Sequence, residues 1–160
     1  MAELNKLKRA KLTKILFKIL DYKNLDLREF LKENGKLHWF YSDKLGKNRA
    51  YYNQLLDLIF SFNTSATMSI IDEKGTVIKE ISSNNSEELS QLFANCVRCL
   101  ILARFEHLVF FLREIGYNKN EVRHLLNSSK TSLDYNMIFA EKLGYKVKAS
   151  VQLKEPSSNT

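Results

Sequence analysis

The chain has 160 residues, 44% hydrophobic and 27% charged, with a net charge of +7. That length supports one domain with its own core, and the composition is that of a soluble globular protein. Two cysteines exclude a disulfide-stapled secreted scaffold, and no apolar run reaches the length of a membrane span.

Lys14 and Lys18 interrupt the apolar stretch near the start, so no secretory leader is expected and a cytoplasmic location is the default. With one proline and five glycines, breaks are few and long helices are expected. The charge is uneven. Residues 1–50 hold 13 Lys/Arg against 6 Asp/Glu, residues 51–100 hold 3 against 6, and residues 101–160 hold 9 against 6. A basic end on an otherwise balanced chain points to a polyanion, although it also serves solubility.

Residues 4–20 read as a basic amphipathic helix. Leu4, Leu7, Leu12, Ile15, Leu16, Ile19 and Leu20 line one side, and Lys6, Lys8, Arg9, Lys11, Lys14 and Lys18 crowd the rest. Such a helix can lie along phosphates, sit on an anionic membrane surface, or bury one face and solvate its lysines. A second helix is expected from a cap at Asn24, burying Leu27, Phe30 and Leu31 and ending at Asn34-Gly35. Leu37-His38-Trp39-Phe40-Tyr41 is the densest aromatic patch, a strand or the start of a buried turn. Its rings serve as core anchors or, if exposed beside lysines, as stacking platforms for bases. Residues 42–48 read as a loop and residues 49–62 as a helix with Leu55, Leu56, Ile59 and Phe60 inward.

Thr67–Ile71 and Thr76–Ile81 are rich in β-branched residues and flank Asp72-Glu73-Lys74-Gly75, which predicts a β-hairpin. From a cap at Asn85, with Glu87 and Glu88 at the positive end of the dipole, an apolar pattern runs to Ile115 without Pro or Gly. It predicts one central helix of about 30 residues, roughly 45 Å long. Its apolar surface is wide, which fits either a core position or a homodimer through residues 89–112.

Gly116 to Gly144 reads as two short helices around a polar turn. Asn118-Lys119-Asn120 is the first N-terminal flank, and Val122, Leu125 and Leu126 are the apolar face. Asn127-Ser128-Ser129 breaks the pattern, and a second helix, starting near Ser129 or Lys130, buries Leu133, Met137, Ile138 and Ala140 before Leu143-Gly144. This is helix-turn-helix spacing. Val147, Ala149, Val151 and Leu153 then alternate with polar residues as a wing or an edge strand, and residues 155–160 form a polar tail expected to be disordered.

The Gly116–Gly144 stretch resembles the C-terminal helix-turn-helix of LuxR-type transcription regulators. The similar features are Gly116-Tyr117, Glu121-Val122, Leu126, Ser129, Ser132-Leu133 and Lys142-Leu143-Gly144, about 30 of the residues. The resemblance implies that Ser129, Lys130, Thr131, Ser132, Asp134 and Tyr135 face the groove and that Asn118, Lys119 and Asn120 touch phosphate.

Cys96 and Cys99 have metal-pair spacing but lie mid-helix with no second pair, and buried helix cysteines are expected instead. No nucleophile motif, P-loop, GxGxxG or paired-carboxylate motif is present, so no enzyme, cofactor or metal is expected. The fold expected is mainly α with one small β-hairpin, a long central helix and a C-terminal helix-turn-helix. Residues 1–115 form the regulatory and dimerisation region, and residues 116–154 the helix-turn-helix with its following strand. The function expected is a dimeric DNA-binding transcription regulator acting on double-stranded DNA, with Lys8, Arg9 and Lys11 of the basic helix meeting phosphates. The alternative is a small helical protein-binding regulator, inhibitor or adaptor without a nucleic-acid role.

Overall fold

The computed structural model describes residues 6–130 and 132–153. The expected tail at 155–160 lies outside them. Among the described residues the chain is mainly helical with one small sheet. In order these are α1 (Lys6–Tyr22), α2 (Leu27–Glu33), α3 (His38–Gly46), α4 (Tyr52–Phe60), β1 (Thr64–Ile71), β2 (Val77–Ser83), α5 (Ser86–Leu102), α6 (Leu108–Glu114), α7 (Lys119–Ser128), α8 (Leu133–Lys142) and β3 (Lys146–Leu153). None of these helices is long and apolar enough to cross a membrane. The chain divides into two compact units, residues 1–65 with 151–160, and residues 66–150. That division does not fall at Gly116, because α6 packs on α7 inside the second unit.

In the first unit α1 packs on α4. Leu12, Leu16, Ile19 and Leu20 of α1 are buried, as are Leu55, Leu56 and Ile59 of α4. Their 3- and 4-residue spacing brings each set onto one helix face. α2 starts later than expected. Asp26 accepts from the Glu29 amide and caps it, whereas Asn24 sits at φ 56°, a left-handed turn conformation that Asn tolerates. The aromatic patch is not a strand. It opens α3, which also takes up residues 42–46 of the expected loop. Leu45 of that helix is buried, but Trp39 is 72% exposed.

The second unit holds the hairpin where the β-branched runs placed it. Met68 pairs with Ile81 and Ile70 with Lys79, and Met68, Ile70 and Ile81 are buried. The Asp72 carboxylate closes the turn by accepting from the Lys74 and Thr76 amides, each at 2.9 Å. β3 joins on the other side of β1, giving strand order β2-β1-β3, so it is an edge strand rather than a wing.

The single long helix does not form. α5 stops at Leu102 and the chain turns through residues 103–107 into α6. Local propensity allows a continuous helix here; tertiary contacts override it. The Arg104 guanidinium donates to the Leu143 carbonyl at 2.6 Å and to the Tyr145 hydroxyl at 3.2 Å, satisfying the C-terminal end of α8. The turn also folds α6 back, so Phe111 meets Phe105 and Phe139 edge-on at 5.3 and 5.7 Å. A straight continuation would carry Phe111 and Leu112, both buried, away from the core. α5 itself packs on β2, α6 and α8 through Leu89, Phe93, Val97 and Ile101. The two helix cysteines are not both buried, since Cys96 is half-buried and Cys99 exposed.

Candidate nucleic-acid interface

The helix pair that resembles a DNA-reading motif is present, with its turn locked by side chains. Asn118 and Glu121 form a reciprocal cap on α7: each side chain accepts from the other's backbone amide at 2.9 Å. Ser132 caps α8 by accepting from the Tyr135 amide. The Asn136 amide group spans the turn, donating to the Ser129 carbonyl at 2.6 Å and the Ser132 carbonyl at 2.7 Å. The Ser129 hydroxyl donates to the Leu125 carbonyl and accepts from Arg98 at 3.5 Å.

These same contacts correct the expected groove face. α8 buries Leu133, Asp134, Asn136, Met137, Ile138, Phe139 and Ala140, so it is enclosed nearly all round. A helix that reads bases must present an open face to the groove. Ser129 is 1% exposed and Asp134 is 6% exposed, so neither can face a duplex. Tyr135 is half-buried and stacks on Phe139 at 6.3 Å. Asn118 and Ser132 are engaged as caps. Lys119, Asn120 and Lys130 remain exposed, and Thr131 lies outside the described residues. A polar turn and apolar spacing read the same in a core helix pair and in a reading motif. The surplus of apolar positions in α8 (Phe139 as well as Met137 and Ile138) was the signal that separates them.

Beside α7 a cavity of about 340 Å³ is lined by Tyr117, Asn120, Glu121, His124, Leu125 and Tyr135. Burial pushes the Tyr117 phenol up to about 12, with the Tyr135 and Glu121 charges acting in the same direction. The fold therefore favours the neutral phenol, while the unfolded chain ionises near pH 10. This contribution is complete below about pH 10 and is lost as pH rises toward 12. Urea unfolding of the Tyr117→Phe variant will show a shallower loss of stability between about pH 10 and 11 than the parent, by on the order of 1 kcal/mol per pH unit. Equal slopes would contradict the assignment.

The first unit carries the charge. Residues 1–65 hold 13 Lys/Arg and 7 Asp/Glu, a net of +6, whereas residues 66–150 hold 11 and 10. On α1, Lys11, Lys14 and Lys18 are exposed at i, i+3 and i+7, opposite the buried row Leu12, Leu16, Ile19 and Leu20. None of the three makes a hydrogen bond or ion pair among the described residues. Lys8 is half-buried at the margin of this face. Arg9 points elsewhere: its guanidinium lies 5.1 Å from the centroid of the Tyr51 ring, and the Lys44 ammonium lies 5.6 Å from the same centroid. Tyr51 is 55% exposed. Lys36 lies over Tyr41 and Lys23 over the exposed Tyr22, at 5.7 and 5.8 Å. Exposed rings interleaved with cations are the kind of side chains on which the bases of single-stranded nucleic acids stack. From the sequence, Lys14 and Lys18 were placed on the basic helix but not named as phosphate contacts, and Lys44 and Tyr51 were not singled out. The first two were legible in the 11/14/18 spacing, whereas the Lys44–Tyr51 pairing is set by how α3 leads into α4.

Comparison of the chain with protein-family models, with curated proteins and with solved structures returned no match.

Proposed function

We propose that the protein binds duplex DNA through its phosphate backbone, using the outer face of α1. The observation that carries this is the row of Lys11, Lys14 and Lys18, exposed on one face and without partners among the described residues. A helix rises 1.5 Å per residue, so these lysines span about 10 Å along the axis, enough to meet several phosphates of one strand. With no carboxylate partner among the described residues, these lysines give up no such ion pair on binding, and each neutralised phosphate releases counterions. A transcription regulator of the LuxR type also needs a base-reading helix. The enclosed α8 offers no face for one, so the proposal is backbone binding without base readout by that helix. Lys119 and Lys130 add exposed positive charge on the second unit.

The test is binding to labelled random duplex DNA by fluorescence anisotropy between about 50 and 200 mM salt. Binding that weakens steeply across that range supports the proposal. No binding at the lowest salt overturns it and favours docking of a protein partner at the β2 edge, where Val77 and Ile78 are exposed.

A homodimer through residues 89–112 belongs to the same proposal. Most apolar side chains there are consumed by the unit's own core, but Leu92, Leu102, Val109 and Phe110 stay exposed. Light scattering will give twice the chain mass if they pair; a monomer mass at working concentration removes the dimer and leaves the DNA reading intact.

A further inference from the structure

A groove of about 250 Å³ runs between β2 and α5, inside the second unit, lined by Ile78, Lys79, Asn95, Cys96, Cys99 and Leu100. Its helix wall uses positions i, i+1, i+4 and i+5, one face of α5, and the neighbouring turn of that face exposes Leu92. Its strand wall is β2, at the edge of the sheet. Lys79 pairs with the buried Ile70, two residues from the buried Ile81. It therefore shares a sheet face with Ile81, but at the end of β2 where residues 77–80 are exposed on both faces. It is also the groove's one cationic side chain, and it makes no hydrogen bond or ion pair among the described residues. Its side chain is exposed, and a charged residue on an edge strand blunts it against pairing, but that role needs no apolar groove beside it.

We propose that this groove binds a small unbranched amphiphile with a carboxylate head, about eight carbons long in all. The tail lies on Ile78, Cys96, Cys99 and Leu100, and the carboxylate meets the Lys79 ammonium, with the Asn95 amide as the second polar contact. The volume supports the size. If a methylene takes roughly the 30 Å³ of a liquid water, the groove holds about eight. The charge supports the head group, since a cation without a partner beside an apolar wall favours an anion over a neutral tail. Burial pushes the Cys96 thiol up while Lys79 pulls it down, consistent with an apolar wall beside a nearby cation.

Cys96 and Cys99 are the chain's two cysteines, so both thiols report on occupancy. The probe is octanoate, and the readout is the rate of N-ethylmaleimide modification at each thiol, followed by peptide mass spectrometry. Octanoate at ten times its Kd will slow labelling of both thiols about tenfold, and octan-1-ol at the same concentration will protect much less. In the Lys79→Gln variant, checked for folding by circular dichroism, octanoate and octan-1-ol will protect equally. Labelling that octanoate leaves unchanged overturns the site. Equal protection by octanoate and octan-1-ol in the parent protein overturns the carboxylate assignment. Neither result bears on DNA binding, which rests on the other unit.

Discussion

Replacing Lys11, Lys14 and Lys18 together with alanine will flatten the salt dependence of DNA binding, lowering the slope of log K against log salt by about 2 to 3. Each phosphate contact on a duplex contributes about 0.9 to that slope, and the three lysines are exposed without partners among the described residues. The change falls on the slope because it removes counterion release, a term that depends on salt. It leaves the fold intact: alanine is the best helix former, and the buried row of α1 is untouched. Arg9→Ala acts differently, since it removes a cation from the Tyr51 ring and loses packing more than phosphate contact. The single variant Lys130→Ala will move the slope by no more than about 1. A parent slope retained by the triple variant would sink the α1 assignment. A larger loss from Lys130 than from α1 would return the interface to the α7–α8 corner.

Phe139→Ala will cost about 3 to 5 kcal/mol of stability, the range for removing a fully enclosed aromatic ring. Phe139 is 1% exposed on α8 and meets three rings: Phe111 and Tyr117 edge-on at 5.7 and 6.4 Å, and Tyr135 stacked at 6.3 Å. Natural domains have only about 5 to 15 kcal/mol in all, so urea denaturation will show a protein near the limit of folding. The measurement also decides what α8 is. A helix whose work is reading DNA tolerates truncation of an outward residue with little change in stability, whereas a core helix does not. A loss below about 1 kcal/mol would contradict the packing described for this helix.

The amino-acid sequence by itself determined the elements whose signals are local. The hairpin follows from two β-branched runs around an Asp-to-Gly turn, and the Asp72 carboxylate closes it within five residues. The start of α7 at Asn118 and the end of α8 before Gly144 follow from the sequence, because caps and left-handed stops act within one turn of chain, whereas α8 starts at Leu133 behind a Ser132 cap rather than near Ser129 or Lys130 as expected. The amphipathic α1 followed from its period, and with it the face that carries Lys11, Lys14 and Lys18. Only the tertiary structure decided the rest. Nothing between Asn85 and Ile115 interrupts a helix locally; the break at 103–107 exists because Arg104 reaches the end of α8, 39 residues on, and because Phe111 finds Phe139. The enclosure of Ser129 and Asp134, and with it the loss of the expected reading face, is a matter of tertiary burial that their residue types do not signal. The exposure of Trp39 and Tyr51 was likewise illegible, since an aromatic ring has the same sequence signal in a core and on a surface. The groove beside Lys79 arises between a strand and a helix, and neither carries its mark alone.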